Sequence, residues 1–89
     1  MAEMIFFNGF LKSRSKISSE RIRKKIDEML YTIKEMPGVG STLSVTRRSI
    51  GRRGNIRKAI VKPYVIVYEY DETKDIVYIH DLMHGSTIR

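Results

Sequence analysis

The sequence contains no cysteine. Disulfides and thiolate metal centres are therefore excluded, and a reducing compartment suits the chain. Tryptophan is absent as well, and proline occurs only at Pro37 and Pro63. Long hydrophobic runs are missing: a stretch such as Tyr64–Tyr68 falls far short of the roughly 20 residues that cross a bilayer. The N-terminal residues show no signal-peptide pattern, so a cytoplasmic soluble domain without a membrane partner is expected. One further absence is local. From Arg47 to Lys62 the stretch RRSIGRRGNIRKAIVK holds seven cationic side chains and no acidic one.

That block equals the whole charge excess of the molecule. The 89 residues carry a formal net charge of +7, from 17 Lys/Arg against 10 Asp/Glu. Removing the block leaves ten cations and ten anions. A concentrated positive charge implies a polyanionic partner: nucleic acid, an anionic membrane or an acidic protein. Residues 1–89 are expected to form a single domain. A chain of this length buries roughly 60–65% of its unfolded surface, enough for one modest core. With 42% apolar and 30% charged residues it folds rather than staying disordered.

The pattern along the chain sets the fold class. Glu3–Phe7 is short, apolar and β-prone, and reads as a first strand. Asn8 is a candidate cap for a short helix through Phe10, Leu11 and about Lys16. Ile22, Ile26, Met29, Leu30, Ile33 and Met36 then recur at helical spacing and form one apolar stripe. Ser18 is the expected N-cap, with Glu20 in the first turn and Ile17 and Ile22 as a hydrophobic staple. The opposite face (Arg21, Lys24, Lys25, Glu28, Glu35) reads as solvated, and Pro37-Gly38 ends the helix. Val45–Ile50 reads as a strand and Gly51–Gly54 as a turn. Strands are expected at Ile56–Val61, Tyr64–Tyr70 and Ile76–Leu82, the last two joined by an acidic hairpin at Asp71–Asp75. The order β-α-α-β-β-β(-β) predicts an α+β fold, an antiparallel sheet of about four strands with two N-terminal helices on one face.

Strand alternation sorts the candidate site residues. Tyr64, Ile66, Tyr68 and Tyr70 share one face, and Tyr78, His80, Leu82 and His84 share one side of the last strand. With the apolar faces turned to the helices, the outer surface is expected to carry cations, tyrosines and a histidine, the composition of a nucleic-acid or acidic-peptide groove. Tyrosine also packs well on pleated sheets, so a structural role is expected of each. His80 and His84 have no carboxylate or thiol spaced to complete a metal site, and neither metal nor cofactor is expected. His84 with Lys58 would be a minimal set for metal-free RNA cleavage, a proton relay plus a charge for phosphate. Gly51-Arg52-Arg53-Gly54 lacks the spacing of a phosphate-binding loop.

These segments together resemble a known family. The stretch Arg57-Lys-Ala-Ile-Val-Lys-Pro-Tyr-Val-Ile-Val-Tyr68, the acidic hairpin, and Ile76-Val-Tyr-Ile-His-Asp-Leu-Met-His84-Gly85 are similar to the RelE/ParE superfamily of bacterial toxins. The opening strand, the Phe10-Leu-Lys-Ser segment, the Ile-Arg-Lys-Lys-Ile helix and Met36-Pro37-Gly38 extend the resemblance over nearly the whole chain. It implies the toxin of a type II toxin–antitoxin, or plasmid-stabilisation, module. It also implies a cognate acidic antitoxin that masks the basic surface in a hetero-oligomer.

The superfamily divides by target. RelE-like members cut mRNA on the ribosome, and ParE-like members poison DNA gyrase. On the ribonuclease branch the resemblance implies Lys58, Arg57 and His84 as catalytic candidates. Ile56, Val65 and Gly85 stand where such members carry basic residues, and the His84-Gly85 ending is ParE-like, so gyrase is the favoured target. The short first helix fits RelE-like members better. On either branch the target-binding candidates are Arg47, Arg48, Arg52, Arg53, Arg57, Lys58, Lys62, Tyr68, His84 and Arg89. A non-toxic basic nucleic-acid-binding module is the remaining alternative.

Overall fold

The computed structural model describes residues 2–42 and 56–85. The expected strand at Val45–Ile50, the turn at Gly51–Gly54, and Arg47, Arg48, Arg52, Arg53 and Arg89 lie outside these residues. Strand β1 (Glu3–Phe6) leads into helices α1 (Asn8–Ser15) and α2 (Glu20–Glu35). A 3-10 turn at Pro37–Val39 and the two-residue strand β2 (Ser41–Thr42) follow. The remaining strands are β3 (Ile56–Val61), β4 (Tyr64–Asp71) and β5 (Ile76–His84). No helix among the described residues is long and apolar enough to cross a membrane.

The helix boundaries follow from local hydrogen bonding. Phe7, not Asn8, occupies the cap position of α1, and no side chain caps that helix. Burial of Phe10 compensates for the weak start, and Gly9 lets α1 rest on β5, because an added Cβ would lie 3.4 Å from the His80 carbonyl oxygen. The cap of α2 is Ser19 rather than Ser18. Its hydroxyl accepts from the Ile22 N–H at 3.2 Å, while the Arg23 N–H donates to the Ser19 carbonyl at 3.0 Å. Ile26, Leu30 and Ile33 form the buried stripe, with Ile22 and Met29 along its margin. Met36, expected to extend the stripe, instead caps the C-terminus of α2 and is 57% exposed. Arg14 clamps the two helices with a bidentate pair to Asp27, at 2.9 and 2.8 Å.

The sheet has the order β1-β5-β4-β3-β2. Strands β2 to β5 pair antiparallel with their neighbours, and β1 pairs parallel with β5. The sheet is therefore mixed, a feature the expectation of an antiparallel meander did not contain. The helical layer carries the chain across one face, from the edge at β1 to the opposite edge at β2. A chain that crosses a sheet in this way leaves its first strand on the far side of the meander. The β4–β5 hairpin turns at Asp71–Asp75, where the Asp71 carboxylate accepts from the Thr73 and Lys74 N–H groups. Asp75 takes a left-handed φ of 55°, which aspartate tolerates better than most residues.

One irregularity decides which side chains share a face. Val67 pairs with Asp81 and Tyr68 with Ile79, so His80 is an extra residue bulged out of β5. Before the bulge Val77 and Ile79 face the helices; after it the inward residue is Leu82. The core comprises Phe10, Ile17, Ile26, Leu30 and Ile33 against Ala59, Val61, Ile66, Tyr68, Val77, Ile79 and Leu82. Each such large apolar side chain contributes roughly 1.5–3 kcal/mol on burial. Tyr64 and Tyr70 pack against its margin. The tyrosines of β4 therefore belong to the helix-facing side, not to the outer surface on which the alternation had placed them. The outer face presents Lys58 and Ile60 of β3, then Val65, Val67 and Glu69 of β4. Its apolar character exceeds what the alternation suggested.

Candidate functional site

The described part of the predicted cationic site divides between two locations. At the end of the sheet, β3 turns into β4 through Lys62-Pro63, and β5 finishes at His84. The Gly85 N–H donates to the Pro63 carbonyl at 2.7 Å and holds the end of β5 against this turn. An added Cβ on Gly85 would lie 3.2 Å from the same oxygen, so the close approach favours glycine. A cavity of about 370 Å³ opens here, lined by Lys58, Ile60, Lys62, Tyr64, His84 and Gly85 among others. Lys62 and His84 are exposed and Lys58 is half-buried. The His84 ring meets the Tyr64 ring edge-on, with centroids 5.5 Å apart. Val65 is buried in the cavity wall. Lys58, Lys62 and His84, three of the predicted residues, are thus brought together around one concavity.

Arg57 and Tyr68 lie on the other side of the sheet. They are direct cross-strand partners, and the Arg57 guanidinium donates to the Gly40 carbonyl at 2.8 Å. Arg57 is engaged in holding the segment after α2 and does not share the cavity of Lys58 and His84. Tyr68, expected on the binding surface, is fully buried. Its hydroxyl donates to the Pro37 carbonyl at 2.8 Å and accepts from the Gly40 N–H at 2.9 Å. Burial raises the phenol above its ordinary range; the Gly40 bond and the nearby Arg57 charge act in the opposite direction. The hydroxyl thus ties the post-helical turn to the centre of the sheet. Gly40 makes this possible, since an added Cβ would lie 2.5 Å from the Lys58 carbonyl oxygen and 2.7 Å from the Tyr68 hydroxyl.

Sequence reasoning missed a polar pair beside these residues. Glu69, 2% exposed, places a carboxylate oxygen 3.2 Å from Nε2 of His80. The Phe7 ring stands edge-on to the imidazole at 4.6 Å. The signal was a lone glutamate inside the apolar run Tyr64–Tyr70, a position that calls for a buried partner. His80 is accordingly a bonded strand residue rather than a companion of His84.

Chemically, the sheet-end cavity offers two ammonium groups and an imidazole around a partly apolar floor. Such a set attracts phosphate or carboxylate groups, and an imidazole can relay a proton. The positions of Val65 and Gly85 supply no further charge.

Comparison with known proteins adds an independent line. Residues 7–89 match the model of a family described as the ParE toxin of type II toxin–antitoxin systems, parDE. No curated protein sequence matches the chain. Among solved structures, the toxin–antitoxin complex RelBE2 from Mycobacterium tuberculosis aligns with a TM-score of 0.72 at 20% identity, over 93% of this chain and 96% of that one. The intact E. coli RelBE toxin–antitoxin complex aligns at 0.70 and 18% identity, over 94% and 96%. The archaeal RelE–RelB complex from Pyrococcus horikoshii OT3 aligns at 0.73 and 11% identity, over 94% of each chain. At these identities the structural matches establish a shared fold.

Proposed function

Because the chain belongs to the ParE toxin family of type II toxin–antitoxin systems, we propose that it arrests growth by poisoning DNA gyrase, docking through the sheet end at Lys58, Lys62 and His84. A cognate acidic antitoxin covers that surface until it is removed. The observation that carries this reading is the make-up of the cavity. Among the described residues its cations are two lysines, and the neighbouring positions hold the buried Val65 and the backbone-bonded Gly85. Arg57, the other candidate for phosphate charge, is committed to Gly40 on the opposite face. Dispersed ammonium groups around an apolar floor suit an acidic protein surface. Phosphoryl transfer asks for several fixed donors converging on one phosphate.

A second reading, ribosome-dependent RNA cleavage, is favoured by one observation: Lys58 and His84 line the same cavity. In that reaction His84 relays the proton and Lys58 offsets charge on the phosphate. Induction of the gene separates the two. Gyrase poisoning stops DNA synthesis first and leaves covalent gyrase–DNA complexes; RNA cleavage stops translation first and leaves codon-phased cuts in transcripts. In addition, His84→Gln abolishes a general acid–base step worth roughly 10²–10⁴-fold, and with it RNA cleavage. Codon-phased cutting by the wild-type protein that disappears in His84→Gln overturns the gyrase reading.

A further inference from the structure

The formal neutrality of the chain outside Arg47–Lys62 conceals a second segregation of charge. Residues 12–25 hold seven cations (Lys12, Arg14, Lys16, Arg21, Arg23, Lys24 and Lys25) and one acid, Glu20. The compensating acids gather elsewhere: Glu69, Asp71, Glu72 and Asp75 fall within seven residues of the β4–β5 hairpin, and Glu3 of β1 pairs beside it with Ile76.

The fold sets these groups at opposite ends. Strand β4, eight residues long, separates the Lys62 turn from the acidic hairpin by roughly 25 Å. Helix α2 runs alongside. Pro37 and Gly38, just past its C-terminus, border a 420 Å³ cavity with Arg57, Tyr70 and Asp71, near the acidic end. Met29, midway along α2, borders a smaller cavity with Ala59 and Ile60. The first turns, Glu20–Lys25, therefore lie toward the Lys62 end. Two cationic surfaces, one on the sheet and one on the helical layer, share that end of the molecule.

The helical surface is concave, and the residues that line it are of charged types. A cavity of about 640 Å³ is lined by Arg14, Glu20, Arg21, Arg23, Lys24 and Asp27, with no apolar residue among them. Arg14 neutralises Asp27, and the Arg23 guanidinium donates to the Ile17 carbonyl at 2.7 Å. Arg21 and Lys24 remain to face solvent across Glu20, and Lys12, Lys16 and Lys25 are exposed on the flanks. Protein partners are held chiefly by apolar and aromatic anchors at the centre of an interface, which this concavity lacks. A phosphodiester backbone needs positive charge alone.

We infer that the α1–α2 hairpin is a second anion site, separate from the sheet-end cavity, that takes the phosphate backbone of nucleic acid. It holds the toxin on DNA or structured RNA while the sheet end meets its target. The fixed Arg14 and Arg23 shape the site, and Arg21 and Lys24 make the phosphate contacts.

The test compares two charge-matched variants of the full chain. Arg21→Gln/Lys24→Gln and Lys34→Gln/Lys74→Gln each remove two positive charges, the first inside the concavity and the second away from it. Binding to a 20-base-pair DNA duplex, an RNA duplex of equal length and a polyglutamate peptide is measured by fluorescence anisotropy from 50 to 200 mM salt, with circular dichroism confirming the fold. The site predicts that the first variant lowers the slope of log K against log salt by about 1.8 on duplex DNA, and the second by less than half as much. The same contrast on the RNA duplex identifies the backbone itself as the ligand; a contrast on one duplex alone assigns the site to that nucleic acid. Equal losses in both variants, an equal contrast with polyglutamate, or no duplex binding by the wild-type chain overturns the proposal. None of these outcomes depends on whether gyrase is the target.

Discussion

Substitution of Tyr68 by phenylalanine removes one oxygen atom from the centre of the fold and, with it, two hydrogen bonds to backbone groups. In the native protein the hydroxyl donates to the Pro37 carbonyl and accepts from the Gly40 N–H, at 2.8 and 2.9 Å. Each lost bond costs about 1–1.5 kcal/mol when the group left behind is shielded from water. Tyr68→Phe is therefore expected to cost about 2–3 kcal/mol, against a total stability of roughly 5–13 kcal/mol for a domain of this length. At about 4–8 °C per kcal/mol the thermal midpoint falls by about 10–20 °C. Urea titration and thermal melting followed by circular dichroism measure both quantities. The pH dependence provides a second check. Burial raises the phenol of Tyr68 above its ordinary value of 10.0, so the folded state holds the proton more tightly than the unfolded state does. The resulting stabilisation is complete below pH 10 and is lost as the pH rises through the folded value. The phenylalanine variant has no such group, and the gap between it and the wild type narrows above pH 10. A midpoint within 3 °C of wild type at neutral pH would refute the bridging role.

Gly40→Ala forces a Cβ to within 2.5 Å of the Lys58 carbonyl and 2.7 Å of the Tyr68 hydroxyl. It is expected to cost about 1–3 kcal/mol, and less in a Tyr68→Phe background, where one of the struck atoms is gone. Additive losses in a urea-denaturation cycle would contradict the shared contact. The Arg14–Asp27 pair has side chains 32% and 53% exposed. An alanine double-mutant cycle is expected to show a coupling of about 0.5 kcal/mol that shrinks in high salt; a value above about 1.5 kcal/mol would show that exposure had been overweighted.

Much of the architecture was legible because it rests on periodicity. The stripe Ile22–Ile33 marked α2, and the runs around Ile60, Ile66 and Val77 marked three strands, since burying one face imposes a repeat that the order of residues reveals. The parallel seat of β1 was not legible, because it depends on where two helices carry the chain. On β5 the face assignments failed at one identifiable residue. His80 bulges from β5, and a single inserted residue exchanges inward and outward positions beyond it, so Leu82 enters the core while Asp81 turns out. Tyr68 was misplaced because a hydroxyl reads as a surface group until its partners are known, and Pro37 and Gly40 lie about thirty residues earlier. Lys58, Lys62 and His84 line one cavity because the Lys62-Pro63 turn and the close of β5 bring Lys62 and His84 to the end of the sheet on which Lys58 stands. Arg21, Lys24 and Lys25 read only as a solvated helix face, because summing charge over the whole chain cancels the cations of residues 12–25 against acids that include Glu69, Asp71, Glu72 and Asp75, more than forty residues away.

The place of β1 in the sheet also bears on the order in which the protein is made. Among the described residues its sheet partner is β5, so Glu3–Phe6 are made well before Ile76–Ile79, the strand they pair with. Until then its backbone groups have no strand to pair with, and the layer of α1 against β5 cannot form. A chain without β5 thus lacks both the complete sheet and the sheet-end cavity, which His84 and Gly85 help to line. A chain cut short of β5 has no sheet end to present, and β1 takes its place in the sheet only once β5, the last of the described strands, has been made.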